Sequence, residues 1–122
     1  MVLKIWCLPD GLTEEELKSL FQQILAVVKD IPELCVRSAK DATILFPADR
    51  MKWGLGEDIV AEVGDLPRSL SLGTSDCWAV RLALGLRLGT MLKECFPSAY
   101  VKCIIENSDL RTVVWTSGRS KK

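Results

Sequence analysis

Chemistry in this chain has to be done without histidine, the commonest general base near neutral pH and the commonest metal ligand. Five cysteines, Cys7, Cys35, Cys77, Cys95 and Cys103, are odd in number and contain no CxxC pair. Neither a zinc site nor a disulfide framework is expected from them. They read as free thiols, buried as small hydrophobes in a reducing cytosol, and no metal or cofactor is expected. What remains is amine, guanidinium and carboxylate chemistry. Its most ordered set lies at alternating positions of apolar, strand-like segments: Lys4 with Trp6, Val60 with Glu62, and Lys102 with Ile104 and Glu106. A lysine on such a face acts as a base near neutral pH only where burial lowers its pKa. The plainer reading is a solvated face with exposed ion pairs, such as Lys4 with Glu62, each contributing about 0–1 kcal/mol.

The elements that must position these residues follow from periodicity. VLKIWCL alternates as a strand and is closed by Pro9, Asp10 and Gly11. TEEE predicts a capping box, Thr13 with Glu16, opening a helix whose Leu17, Leu20, Phe21, Ile24, Leu25 and Val28 share one face. Pro32 bounds that helix. A second strand is expected at 42–46, ending at Pro47, followed by a short one around Met51 to Trp53. A third is expected over 58–63. A second helix runs from Ser75 or Asp76 to Phe96, with Gly85 and Gly89 letting it approach the sheet closely. AYVKCIIE forms a fourth strand, and TVVWT a short closing one. The result is two β-α-β units and an α+β fold: a four-stranded mixed sheet, both helices on one face, and short extra strands. Leu3, Ile5, Ile44, Phe46, Ile59, Ala61, Val63, Val101 and Ile105 form the expected core face. Residues 1–116 are expected to be one domain of two pseudo-repeats, about 1–56 and 57–116, and 117–122 a flexible tail.

Composition limits the partners. The 122 residues carry 16 Lys and Arg against 16 Asp and Glu, without the basic excess that nucleic-acid binding uses. Zero net charge is compatible with self-association. The most apolar stretch, CWAVRLALGLRLGTML, is interrupted by Arg81 and Arg87 and is too short and too charged to cross a bilayer. The N-terminus lacks a basic region ahead of a long apolar run, so a cytoplasmic protein is expected.

Two stretches, FPADRMKWGLGEDIVAEVGDL and YVKCIIENSDLRTVVW, together with the element order, resemble the tautomerase superfamily, in particular its macrophage migration inhibitory factor branch. That resemblance implies a homotrimer whose sheets surround a central channel, with short strands extending neighbours' sheets. It implies active sites between subunits at the start of the first strand, where a processed N-terminal proline moves a proton between carbon and oxygen. Here that position is Val2. The α-amine of Met1 is the substitute base, displaced by one residue, and misplacement by about 1 Å already costs on the order of 10²-fold. Lys102 stands where the branch has a tyrosine, and Ile104 where it has an asparagine. Arg37, with Lys40 nearby, retains the basic character of a residue that binds a substrate carboxylate or polarises a carbonyl; both also read as solvated loop charges.

Two functions follow. One is an oligomeric small-ligand binder or scaffold without tautomerase activity. The other is a residual tautomerase that acts on a small carboxylate or carbonyl through Met1, Val2 or Lys102, with Arg37, Lys40 and Ile104 binding substrate. An unrelated ferredoxin-like α+β domain shares much of the element order.

Overall fold

The TEEE segment folds as its spacing predicts. The Thr13 hydroxyl accepts a hydrogen bond from the Glu16 backbone N–H at 3.1 Å, and the Glu16 carboxylate accepts one from the Thr13 N–H at 3.2 Å. This cap opens helix α1, Glu14–Lys29. Three glutamates in its first turn face the positive end of the helix dipole. Leu20, Ile24, Leu25 and Val28 form its buried stripe, and the helix stops at Lys29, ahead of Pro32. Just before α1, Gly11 has φ +95°, in the left-handed region that lets the chain turn after Pro9 and Asp10.

The computed structural model describes residues 1–48, 57–66, 75–106 and 111–117. Its strands are β1 (Val2–Trp6), β2 (Thr43–Leu45), β3 (Asp58–Gly64), β4 (Tyr100–Glu106) and β5 (Arg111–Thr116), and its second long helix is α2 (Ser75–Cys95). The sheet order is β2-β1-β3-β4-β5. β1 runs parallel to β2, β3 runs parallel to β4, and the two pairs join antiparallel through β1 and β3. Each parallel pair is connected across a helix, the β-α-β arrangement expected.

The four expected strands are joined by the short closing strand, giving five. The closing segment adds to the edge of its own chain's sheet, antiparallel to β4, with a register shift between Cys103 and Ile104. The short strand expected around Met51 to Trp53 lies outside the described residues, as does the tail from residue 118.

Alternation decides the core. Leu3, Ile5, Ile59, Ala61, Val63, Val101, Cys103 and Ile105 all point to one face and are fully buried, in one cluster with the inner stripes of α1 and α2. Ile44 and Phe46 pack against that cluster but are only half-buried, because β2 is a three-residue edge strand. Gly89 brings α2 down onto the sheet: a Cβ placed there would overlap the Trp115 indole. Arg87 on α2 pairs with Asp30 at the end of α1, tying the helices together across the surface. No helix among the described residues is long and apolar enough to cross a membrane.

Candidate functional site

The uncovered face of the sheet carries the residues that alternation assigns to it. Val2, Lys4 and Trp6 on β1, Val60 and Glu62 on β3, and Lys102 and Ile104 on β4 are all half-buried. Register sets them in rows. Lys4, Glu62 and Ile104 lie side by side across β1, β3 and β4, and Trp6, Val60 and Lys102 form the next row. Lys4 and Glu62 are therefore direct neighbours across β1 and β3, as expected.

At the start of β1 this face opens into a shallow cleft of about 200 Å³, lined by Val2, Lys4, Glu62, Gly64 and Asp65. Such a volume is below that of pockets that take drug-sized ligands and suits a molecule of a few heavy atoms. Asp65 follows β3 in a left-handed turn, φ 54°, which ends the strand at the cleft. Among the described residues of the lining, Lys4 is the cation, beside the carboxylates of Glu62 and Asp65. Alternation could reveal Val2, Lys4 and Glu62. It could not reveal Asp65, whose place depends on the turn after the strand.

Met1 is half-buried beside the cleft, its carbonyl accepting a hydrogen bond from the Thr43 N–H at 2.9 Å. That bond also draws in the short 3₁₀ turn Ala39–Asp41, which carries Lys40. Asp41 holds this turn by accepting the backbone N–H groups of Arg37 and Ser38 at 2.9 and 3.2 Å. Those two bonds, Arg37's first, keep its carboxyl below the usual range. Arg37 and Lys40 are exposed and do not line the cleft.

Lys102 is not brought to Val2 within one chain. Val2 pairs with Gly64, whereas Lys102 pairs with Val60, four positions further along β3. At about 3.3 Å per residue and 4.8 Å per strand, the separation is about 13 Å along the sheet and about 10 Å across it. Ile104 is two positions nearer. A site that uses both Val2 and Lys102 needs two protomers.

A second depression, about 240 Å³, lies between α1 and the end of α2, with Gln23, Cys95 and Phe96 in its wall. Burial, and then the Glu94 charge, raise the Cys95 thiol pKa, and its Sγ lies 3.5 Å from the Gln23 side-chain oxygen. Such a thiol is a poor nucleophile. Among the described residues, no cluster of three or more potential metal ligands forms.

The sequence matches no protein-family model and no curated protein. Solved structures do match. Malonate semialdehyde decarboxylase, solved as wild type, as a mutant with alanine for its first-residue proline and in inactivated form, superposes with TM-score 0.54 at 18% identity, over 99% of this chain and 93% of that one. A probable enzyme from the thermophilic fungus Aspergillus fumigatus superposes with TM-score 0.60 at 18% identity, over 88% and 76%. The native protein Ps01740 superposes with TM-score 0.58 at 12% identity, over 88% and 96%. Element order, sheet topology and these superpositions agree: the chain shares the fold of these structures, malonate semialdehyde decarboxylase among them.

Proposed function

We propose that this is a divergent, tautomerase-fold protein of the migration inhibitory factor-like branch that assembles as a homotrimer and binds a small carboxylate or carbonyl ligand without proline-based proton transfer. The observation that carries this reading is the cleft at the start of β1. Val2, which has no ring nitrogen, lines it at the position where the resemblance places the catalytic proline. The uncovered face supports assembly, because Val60, Ile104 and Trp6 lie among its charges. Sister protomers would cover that face and bring a partner's β4 toward the cleft. Lys4, rather than Arg37 or Lys40, is the cation positioned to meet a ligand's carboxylate or to polarise its carbonyl. The free thiols of Cys35, Cys95 and Cys103 fit a reducing, cytoplasmic setting.

A second reading, residual catalysis, draws support from the place of Met1 and from the enzyme among the fold relatives. Malonate semialdehyde joins a carboxylate to an aldehyde on a skeleton small enough for the cleft. In this reading, the N-terminal amine or a partner's Lys102 is the base.

One experiment separates the readings. Phenylpyruvate and malonate semialdehyde are titrated into isotope-labelled protein while turnover is followed in parallel. Binding is expected to shift the Val2 methyl signals, to be lost in Lys4→Met, and to leave turnover at the buffer rate. Val2→Pro with Met1 removed is expected to gain tautomerisation. Wild-type turnover above buffer would establish the catalytic reading instead, and no shift with either compound would remove the cleft as a ligand site.

A further inference from the structure

The depression between α1 and the end of α2 has a polar side with a fixed arrangement. On α1, Glu16, Ser19, Leu20 and Gln23 stand at i, i+3, i+4 and i+7, one face of the helix. Across from them are Cys95, the last residue of α2, and Phe96. The Cys95 thiol donates to the Gln23 side-chain oxygen at 3.5 Å, and the Gln23 amide nitrogen donates to the Ser19 hydroxyl at 3.4 Å. One oxygen of Glu16, Oε1, accepts both the N–H and the O–H of Thr13, at 3.2 and 3.1 Å. That leaves Oε2 without a donor among the described residues.

The charge around this space is negative. Glu16 shares its turn with Glu14 and Glu15, and three carboxylates outweigh the roughly +0.5 charge of a helix start. Lys18 is held by Glu14 at 3.6 Å. On the other side, α2 presents its C-terminal end, the negative end of the helix dipole. Lys93, in that last turn, is engaged with the Ala99 carbonyl at 2.6 Å. Burial, and then the Glu94 charge, hold the Cys95 thiol in its neutral form. The rest of the wall is apolar: Leu20 is buried, and Leu12 and Phe96 are half-buried. An ammonium carries three donors and no acceptor, which matches oxygens set beside a carboxylate.

We propose that this depression binds a small primary amine, its ammonium between Glu16 Oε2 and the Ser19 hydroxyl and its hydrocarbon or aromatic part against Leu12, Leu20 and Phe96. Side chains three residues apart on a helix have Cβ atoms about 5–6 Å apart, so one ammonium reaches both oxygens. The volume of about 240 Å³ limits the apolar part to a few carbons or a single ring. Glu16 repels an acid, and a neutral alcohol forgoes the charge. The site is on the helix-covered side of the sheet, so it stands apart from the cleft at Val2 and does not depend on it or on assembly.

Titration of benzylamine into the isotope-labelled full chain at neutral pH tests the proposal, with benzyl alcohol and benzoate as its neutral and anionic counterparts. Benzylamine is expected to shift the Gln23 side-chain amide and the Phe96 N–H saturably, benzyl alcohol to bind about fivefold more weakly, and benzoate to leave both signals in place. Glu16→Gln removes the charge but keeps a residue able to close the capping box. It is expected to retain α1 and to weaken benzylamine binding by about fivefold, the upper end for an exposed ion pair. Equal binding of benzyl alcohol, undiminished binding in Glu16→Gln, or shifts that never saturate would overturn the assignment. If Glu16→Gln loses α1, wild-type protein decides: raising the salt from about 0.05 to about 0.5 M is expected to weaken benzylamine binding, and an affinity unmoved by salt ends the proposal.

Discussion

The two faces of the sheet follow the same alternation and end in different chemical states. On the helix side, Leu3, Ile5, Ile59, Ala61, Val63, Val101, Cys103 and Ile105 are apolar and fully buried. On the other side, Val2, Trp6, Val60 and Ile104 share rows with Lys4, Glu62 and Lys102, and all are half-buried. A sheet with one solvated face usually shows polar residues there. The first face is finished within the chain. The second mixes apolar side chains with charges as a surface does when it is to meet another surface. The difference places the core on one side of the sheet and leaves the other for the proposed assembly.

The sharpest way to break this contrast is to cut into the finished face. Ile5→Ala removes a fully buried side chain and is expected to cost about 3 kcal/mol of unfolding free energy, within the 2–5 kcal/mol usual for such truncations. Urea titration measures it, and a loss below about 1 kcal/mol would mean the helix side is not the core. Gly89→Ala is expected next. The gain in helix propensity, about 1 kcal/mol, is outweighed by overlap with the Trp115 indole, leaving a net loss of about 1–2 kcal/mol. Trp115→Leu in the same chain should recover part of it. Ile104→Lys, on the unfinished face, is expected to change protomer stability by less than about 0.5 kcal/mol while lowering the mass of the assembly seen by light scattering.

At neutral pH the smallest effect on stability concerns thiols. Burial pushes the Cys103 pKa up to about 12, whereas Cys35 is exposed. The thiolate is the reactive form, so at pH 8.5 iodoacetamide should label Cys35 in the folded protein and reach Cys103 only at the rate of unfolding. Because the folded pKa lies above the unfolded one, the stability tied to the neutral thiol is complete below about pH 9. It is lost as the pH climbs toward 12. The denaturation midpoint should therefore fall over that window.

Much of this architecture is written locally. The Thr13–Glu16 box, the strand alternation and the close approach at Gly89 depend on residues near one another or on a missing side chain, and the structure has them where the sequence places them. The cleft is half legible for the same reason: Val2, Lys4 and Glu62 belong to alternating strands. The remainder is tertiary. Whether the closing strand joins its own sheet depends on the register with β4, which shifts at Cys103 and Ile104. Asp65 reaches the cleft through a turn that no periodicity describes. Arg81 reads along the chain as a charge interrupting an apolar segment; only packing of α2 on the sheet makes it a buried cation. Arg37, Lys40 and Lys102 rest on resemblance rather than on periodicity, and one chain leaves them outside the cleft; only the proposed assembly would bring a partner's Lys102 toward it.

The molar mass in solution, by light scattering at micromolar concentration, bears most directly on the claim that sister protomers complete the unfinished face. A protein near three times 13.6 kDa, falling toward 13.6 kDa in Ile104→Lys, is the expected result. A wild-type mass of 13.6 kDa across that range would leave the face open to water and contradict the account.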